Sequence, residues 1–291
     1  MEYLEILILV LSFVTLLVLG VPIAWSIGLS SILTMLVSIQ AMPAFTTVAQ
    51  RMATGLDSFA LLAIPFFILA GQLMNRGGIA RRLIDFAKTL VGSLPGGLAH
   101  VNIIAAMLFG AISGSAVAAA SAIGSFMGSR MEKEGYSKEF SAAVNITSST
   151  TGLVIPPSNI LIVYSLASGG VSIAALFLAG YLPGILTGLF LMIVAATWAK
   201  RRGFPVGERS SLREVGRTFV AAFPSLLLLI VVIGGIVAGI FTATEASAVA
   251  VLYCLVLTFW YRELSWRDLP GILTNSVGTT AIVMLLIGTS M

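Results

Sequence analysis

The chain of 291 residues is 58% hydrophobic and only 10% charged, and its mean hydropathy is +1.05. Soluble domains carry about 25% charged residues, so the composition excludes a soluble globular domain and predicts that a bilayer surrounds most of the chain. The formal net charge is +4, but the charges cluster in connections between apolar stretches, which argues against a nucleic-acid partner.

Nine apolar stretches approach the length of about 20 residues that a membrane-spanning helix requires. In chain order they are residues 4–19, 21–39, 59–74, 101–127, 140–167, 173–199, 218–241, 245–261 and 272–291. We therefore expect an all-α polytopic membrane protein.

Two connections rich in Lys and Arg, residues 75–97 and 200–217, orient the chain, since such loops stay on the cytoplasmic side. Three long apolar stretches lie between them, and three full crossings would place the two loops on opposite sides. One stretch must therefore enter and return. The candidate is 101–127, because small residues fill its middle at 110–118. This topology predicts a re-entrant hairpin and an N-terminus outside the cytoplasm.

The helix pair at 4–39 and the pair at 218–261 each contain a short turn of small residues, and each is followed by a polar connection and a further apolar span. The two pairs cross in opposite directions, which is the pattern of an inverted-topology repeat, common in secondary transporters. The second unit stops at Met291, before a hairpin and broken helix of its own. We expect the second repeat to be incomplete.

These features predict five segments. They are scaffold helices and an arm of the first repeat at 1–75, a cytoplasmic amphipathic helix at 76–97, a transport-domain hairpin and broken helix at 98–170, a connecting helix and basic cytoplasmic loop at 171–217, and the truncated start of the second repeat at 218–291.

Two segments predict irregular backbone at membrane depth, where freed amides and carbonyls need protein, water or an ion as partner. The hairpin tip carries Ser113 and Ser115, whose hydroxyls and nearby carbonyls are oxygen donors suited to a small cation. The second segment, 145–159, contains Gly152 and two prolines that would each remove a helix hydrogen bond. We expect a helix, a break and a second helix that starts near Ser158. Carbonyls of Gly152 and Ile155 can coordinate a cation, and the N-terminus of the second half-helix can hold an anion.

Each of these features has a structural alternative. Ser113 and Ser115 suit the close packing of small residues between membrane helices. The hydroxyls of residues 147–151 can bond back to helix carbonyls, and Asn159 can serve as an N-cap.

Three polar residues elsewhere in the apolar sequence also have a structural alternative. Thr242 and Glu245 have the spacing of a capping box, although an intramembrane carboxylate is also a candidate for ion coupling. His100, without a second ligand nearby, is predicted to be interfacial.

Four motifs in one order, at residues 60–71, 109–116, 152–158 and 242–246, resemble the large membrane subunit of tripartite ATP-independent periplasmic (TRAP) transporters, of the DctM type. The resemblance runs essentially from end to end. It implies an elevator-type transporter of the bacterial inner membrane, which agrees with the inverted repeat and the periplasmic N-terminus predicted above from the residues. It also implies sodium-coupled uptake of a small carboxylate, such as a C4-dicarboxylate or sialic acid.

The resemblance further implies partners and site residues. The partners are a small four-helix membrane subunit, a periplasmic binding protein that delivers the organic anion, and membrane lipid. The coupling ion is sodium, and no other cofactor is expected. The sodium site is assigned to Ser113, Ser115, Gly152, Ile155 and Pro157. The donors after Pro157 are assigned to the carboxylate, together with a polar group comprising Ser149, Thr151, Ser158 and Asn159.

Three rival functions stay open at this stage. The nearest is a stand-alone ion-coupled dicarboxylate symporter. A non-transporting membrane scaffold would have continuous helices at Ser113 and Gly152. An intramembrane enzyme would need a nucleophile and a base at matching depth, and the sequence presents no such pair.

Overall fold

The computed structural model describes residues 2–204, 206, 207 and 209–291. Across these residues the chain forms α-helices, one 3₁₀ turn and one isolated bridge between Pro95 and Val206, with no β-strand. The predicted all-α class is confirmed. The helices cluster into two compact units, one containing the chain up to Leu61 together with Val277–Met291, and the other containing Leu62–Ser276.

The first unit begins with α1 (Glu2–Val18) and α2 (Ile23–Ser38). The two helices are antiparallel, because Ser38 at the end of α2 donates a hydrogen bond to the carboxylate of Glu5 near the start of α1. Gly20 makes the turn between them with a φ of +81°, a left-handed conformation that glycine adopts without steric cost.

The helix α3 (Ala41–Leu56) occupies a segment in which the sequence predicted only a polar connection. Its apolar residues are too interrupted for a membrane span, but the segment contains good helix formers such as Ala, Met, Gln and Arg. Within the same unit, Gly28 of α2 contacts Thr289 and Leu56 contacts Gly288, so the end of the chain packs on α2 and α3.

The second unit contains the remaining helices. They are α4 (Ala63–Arg76), α5 (Ile79–Val91), α6 (Gly97–Ser113), α7 (Ala116–Lys133), α8 (Lys138–Ser149), α9 (Thr151–Val154), α10 (Asn159–Ala167), α11 (Ile173–Arg202), α12 (Leu212–Val237), α13 (Ala243–Trp260) and the start of α14 (Leu269–Ser290).

The core of this unit lies around α4 and α6. Nearly every residue of α6 is buried, because α5, α7, α8, α9 and α11 all pack against it. Helix α13 packs along α4, and Gly77 at the end of α4 leaves room for the Thr258 side chain of α13.

The amphipathic helix predicted within residues 76–97 is α5. Its buried face consists of Ile79, Ala80, Leu83, Ile84 and Ala87, and it packs on α6 and α12. The apolar face of this helix is therefore covered by protein.

Five helices among the described residues are long and apolar enough to cross a membrane, and a bent pair would make a sixth span. The five are Phe59–Arg76, Ile173–Arg202, Leu212–Val237, Ala243–Trp260 and Leu269–Ser290, and the bent pair is Lys138–Val154 with Asn159–Ala167. The apolar helices α1, α2 and α6 are shorter. At 1.5 Å per residue, a helix of the length of α2 rises about 24 Å, which is less than the roughly 30 Å of a hydrocarbon core.

His100 is packed inside the protein, and its interfacial depth in the membrane stays a prediction. The residue is only 3% exposed, and its Nε2 lies 3.1 Å from the carbonyl oxygen of Pro95. The ring therefore fastens the first turn of α6 to the connection that precedes it.

Candidate functional site

The predicted hairpin tip is a two-residue connection between α6 and α7, which pack against each other. Gly114 ends α6 with a φ of +62°, and its amide donates to the carbonyl of Gly110 at 2.8 Å. Ser115 is extended and caps α7, because its hydroxyl accepts a hydrogen bond from the amide of Ala118 at 3.3 Å. The small residues thus allow the reversal that the charge pattern required.

The predicted break lies between α9 and α10, and the two halves of the helix are bent by 49°. The carbonyl of Gly152 would accept from residue 156 in a continuous helix, but that residue is proline and has no amide hydrogen. The carbonyl of Leu153 would accept from residue 157, which is also proline. It accepts a hydrogen bond from the hydroxyl of Ser158 instead. The prolines therefore account for the position of the break.

Ser158, not Asn159, is the N-cap of α10. Ser158 has an extended backbone, and its hydroxyl accepts from the amide of Leu161 at 3.4 Å. Asn159 is the first helical residue, so the N-cap alternative for its side chain is wrong. A serine preceding the helix has the short hydroxyl and the backbone geometry that an N-cap needs.

The hairpin tip and the break contact each other through main-chain atoms. A β-carbon added to Gly110 would lie 2.4 Å from the Cα of Gly152, so neither position has room for a side chain. The amide of Asn159 would bond to the carbonyl of Ile155 in a continuous helix, but it donates to the carbonyl of Gly114 at 3.3 Å. At the break, the amide of Asn159 thus forms a hydrogen bond to the hairpin tip in place of a hydrogen bond within the helix.

Four of the five residues predicted to bind sodium come together at this contact. Ser113 is fully buried, and its hydroxyl lies 3.5 Å from the carbonyl oxygen of Ser115. The carbonyl of Ser115 lies beside Gly152, and the carbonyl of Pro157 lies beside Gly114. Ile155 follows in the same segment, and its side chain contacts Gly184 of α11.

Several carbonyl oxygens of the break, including those of Gly152, Ile155 and Pro157, accept no hydrogen bond from the described residues. All three residues are buried. Irregular backbone at membrane depth leaves such oxygens available to an ion. Neutral carbonyl and hydroxyl oxygens are ligands that suit a hard cation, and the donor set here fits a sodium ion.

The residues predicted to bind substrate use their hydroxyl hydrogens within the helix. Ser149 donates to the carbonyl of Asn145 at 2.7 Å, and Thr151 donates to the carbonyl of Ser148 at 2.6 Å. This is the back-bonding alternative that the sequence left open. Asn159 differs, because its buried Oδ1 has no partner among the described residues.

A polar network that the sequence did not reveal ties the hairpin to the helix before the break. The side-chain amide of Asn102 in α6, which is fully buried, donates to the Ser148 hydroxyl of α8 at 2.9 Å. Asn145 of α8 donates to the carbonyl of Ala120 in α7 at 2.9 Å. An asparagine inside an apolar run is the signal that could have indicated Asn102.

Thr242 and Glu245 form the predicted capping box at the start of α13. The amide and hydroxyl of Thr242 each lie 2.8 Å from Oε2 of Glu245, and the amide of Glu245 donates to the Thr242 hydroxyl at 3.2 Å. The carboxylate thus satisfies donors at its own helix end.

These observations define a polytopic helical membrane protein whose polar centre is a hairpin tip held against a broken helix. The sequence model of the family described as "Tripartite ATP-independent periplasmic transporter, DctM component" matches residues 10–291. The chain belongs to this family. The prediction of a transporter component, and not an enzyme, is confirmed.

Three relatives illustrate the match. Uncharacterized protein YgiK of Salmonella typhimurium is 57% identical over 291 residues, which are 100% of this chain and 67% of that protein. The C4-dicarboxylate TRAP transporter large permease protein DctM of Rhodobacter capsulatus is 39% identical, with 94% of this chain and 65% of that protein covered. The sialic acid TRAP transporter large permease protein SiaM of Vibrio cholerae is 43% identical, with coverages of 82% and 56%. The chain therefore spans about two thirds of the length of these relatives or less.

Proposed function

We propose that this chain forms part of the large permease subunit of a TRAP transporter that performs sodium-coupled uptake of a small organic anion across the bacterial inner membrane. The observation that carries the proposal is the contact between the hairpin tip and the break, with the unpaired carbonyl oxygens of Ile155 and Pro157 beside it. Family membership supports the transport class, and the printed names of two relatives specify C4-dicarboxylate and sialic acid.

In this proposal, sodium is bound by oxygens of Ser113, Ser115, Gly152, Ile155 and Pro157. The hairpin and the break are then held together by a shared ion as well as by the bond from Asn159 to Gly114. Sodium binding orders both segments, so an anion that needs the same order binds with a smaller entropic cost. This shared ordering is a physical route to coupling between ion and substrate.

The anion is assigned to the N-terminal end of α10, where the helix dipole favours negative charge. Asn159 lies in the first turn. Its side-chain NH2 group could donate to a carboxylate, whereas its Oδ1 is an acceptor and could not. The hydroxyls of Ser149 and Thr151 are donors to helix carbonyls in this conformation. For them to bind a carboxylate, these hydrogen bonds would have to rearrange.

The proposal also includes a periplasmic binding protein, a small four-helix membrane subunit and an elevator movement of the hairpin and broken helix. A second hairpin and broken helix would complete the substrate site in the inverted-repeat hypothesis. A stand-alone symporter is the rival function. Uptake that persists without the binding protein and the small subunit would favour the rival.

The test is sodium-driven uptake by the whole transporter in proteoliposomes, with labelled succinate and sialic acid as probes. The double variant Ser113→Ala/Ser115→Ala should raise the sodium concentration for half-maximal uptake by about tenfold, the change expected for loss of oxygen ligands. The matched control is Ser125→Ala in α7, because this exposed hydroxyl only bonds back to Ala122.

Two outcomes would count against the proposal, and they are distinguishable. Unchanged sodium dependence in the double variant would overturn the assignment of the ion site while leaving transport intact. Uptake that needs no sodium gradient in the wild type would overturn the coupling itself.

A further inference from the structure

A large groove lies away from the hairpin–break contact, between α8 and α11. Its volume is about 1010 Å³, and apolar side chains form most of its wall, including Ala143 and Val144 of α8 and Leu191 and Val194 of α11. The proposed ion and anion sites do not use any of these residues. A small hydrophilic anion has no complementary surface along such a wall, because desolvating its charge there would be costly.

The groove has the length of one membrane leaflet. Along α11 its lining runs from Leu191 to Arg202. These residues are separated by about 16 Å along the helix axis at 1.5 Å per residue. The hydrocarbon core of a bilayer is about 30 Å thick, so the groove matches roughly half of it. An acyl chain of one leaflet occupies the same distance.

The end of the groove near Arg202 has the chemistry of a membrane–water interface. The rings of Phe140 and Trp198 are stacked with a centroid separation of 6.4 Å and an interplanar angle of 8°. The guanidinium of Arg202 lies 5.4 Å from the Trp198 ring centroid. Aromatic rings beside basic side chains are typical of the zone where lipid head groups begin.

The two charges on this rim have opposite sign. Arg202 and Glu139 both line the groove and both are exposed. Among the ion pairs of the described residues, none joins them. A head group that carries a phosphate and an ammonium would satisfy both charges, whereas an anionic head group would satisfy Arg202 and face repulsion from Glu139.

We propose that this groove binds one phospholipid of the phosphatidylethanolamine class. One acyl chain lies along α8 and α11, the phosphate contacts Arg202, and the ammonium contacts Glu139. The ligand fills space beside α8, the helix that leads into the break. The proposal concerns a site separate from the ion and anion sites, so it does not rest on the proposed transport function.

The test uses the whole permease, purified, stripped of lipid and titrated with dioleoyl phosphatidylethanolamine, phosphatidylglycerol or phosphatidylcholine, with bound lipid counted by native mass spectrometry. Wild-type protein should retain one phosphatidylethanolamine in preference to the other two lipids. Arg202→Gln should reduce retention by about tenfold, as expected when one charge-assisted contact is lost. Glu139→Gln should abolish the preference over phosphatidylglycerol.

Arg201→Gln is the matched control, because Arg201 is the adjacent arginine but does not line the groove. Ala143→Trp, which places a large side chain in the groove, should prevent retention while the protein still folds. Equal retention by Arg202→Gln and Arg201→Gln would overturn the proposal. Retention of the three lipids without preference would overturn the head-group assignment. A wild type that retains no lipid would overturn the proposal, and resistance of Ala143→Cys to labelling would then show that protein covers the groove.

Discussion

Gly110 and Gly152 are the two residues at which the hairpin and the break approach most closely, and each is a glycine for steric reasons. A β-carbon on either residue would meet main-chain atoms of the other, which cannot move aside as a flexible side chain can. Gly128, on the other arm of the hairpin, faces open space and provides an internal comparison.

We expect Gly110→Ala to lower the free energy of unfolding by about 1–3 kcal/mol, the usual cost of overpacking. Gly128→Ala should be neutral or stabilise the protein by up to about 1 kcal/mol, because alanine favours a helix. Thermal unfolding in detergent, with and without sodium, measures both effects. Similar losses in the two variants would mean that the close contact does not determine stability.

Substitutions at Glu245 can distinguish a structural role of its carboxylate, in the capping box with Thr242, from a role in ion coupling. Glutamine at the same position also completes a capping box, so Glu245→Gln should preserve the melting temperature and the sodium dependence of uptake. Glu245→Ala should lower the melting temperature by about 2–4 °C and leave the sodium dependence unchanged. Loss of sodium dependence in Glu245→Gln would instead assign the carboxylate to coupling.

At the scale of helices, the positions of both interruptions were predictable because the residues responsible act locally. Two prolines remove hydrogen-bond donors, and Gly114 permits a left-handed turn, whatever surrounds them. The choice of Ser158 over Asn159 as N-cap was not predictable, because both residue types favour that position. The Asn102–Ser148 pair is 46 residues apart in sequence, and such contacts depend on how helices pack.

The hydrogen bond between Asn102 and Ser148 predicts that a single and a double substitution will change the free energy of unfolding by different amounts. Ser148→Ala leaves the buried amide of Asn102 without a partner and should lower the free energy of unfolding by about 1–3 kcal/mol. Combining it with Asn102→Leu removes both polar groups, so the double variant should lose less than Ser148→Ala alone. A double-mutant cycle by denaturant unfolding tests this, with Ser125→Ala as the control. Strictly additive losses would exclude an interaction between the two side chains.

At the scale of the whole molecule, the helical class and most spans follow from composition, because a bilayer leaves few alternatives to helices. Helix α3 was missed because its pattern resembles a polar connection and it has little buried surface. The orientation of the chain in the membrane stays a prediction from the loop charges, and the single buried Cys254 makes it testable.

The predicted topology starts outside the cytoplasm and crosses twice before residue 40, so residues 40–57 are predicted to be periplasmic. A membrane-impermeant maleimide should therefore label Asp57→Cys in intact cells. Arg209→Cys should react only after the membrane is permeabilised, since its loop is predicted to be cytoplasmic. Both positions are exposed, and the wild type serves as a blank because Cys254 is fully buried. Labelling in the reverse order would invert the topology and the direction assigned to transport.

The unpaired oxygens of Ile155 and Pro157 belong to the main chain, and this limits what genetics can reveal about them. Replacing either side chain leaves its carbonyl in place. A mutational scan of the break therefore detects changes in backbone geometry and does not remove the oxygens themselves. Replacing an amide by an ester in a semisynthetic protein would weaken one carbonyl as an acceptor without altering its side chain. If the proposed ion site is built from main-chain oxygens, the ion site would persist while the surrounding side chains diverge toward different substrates.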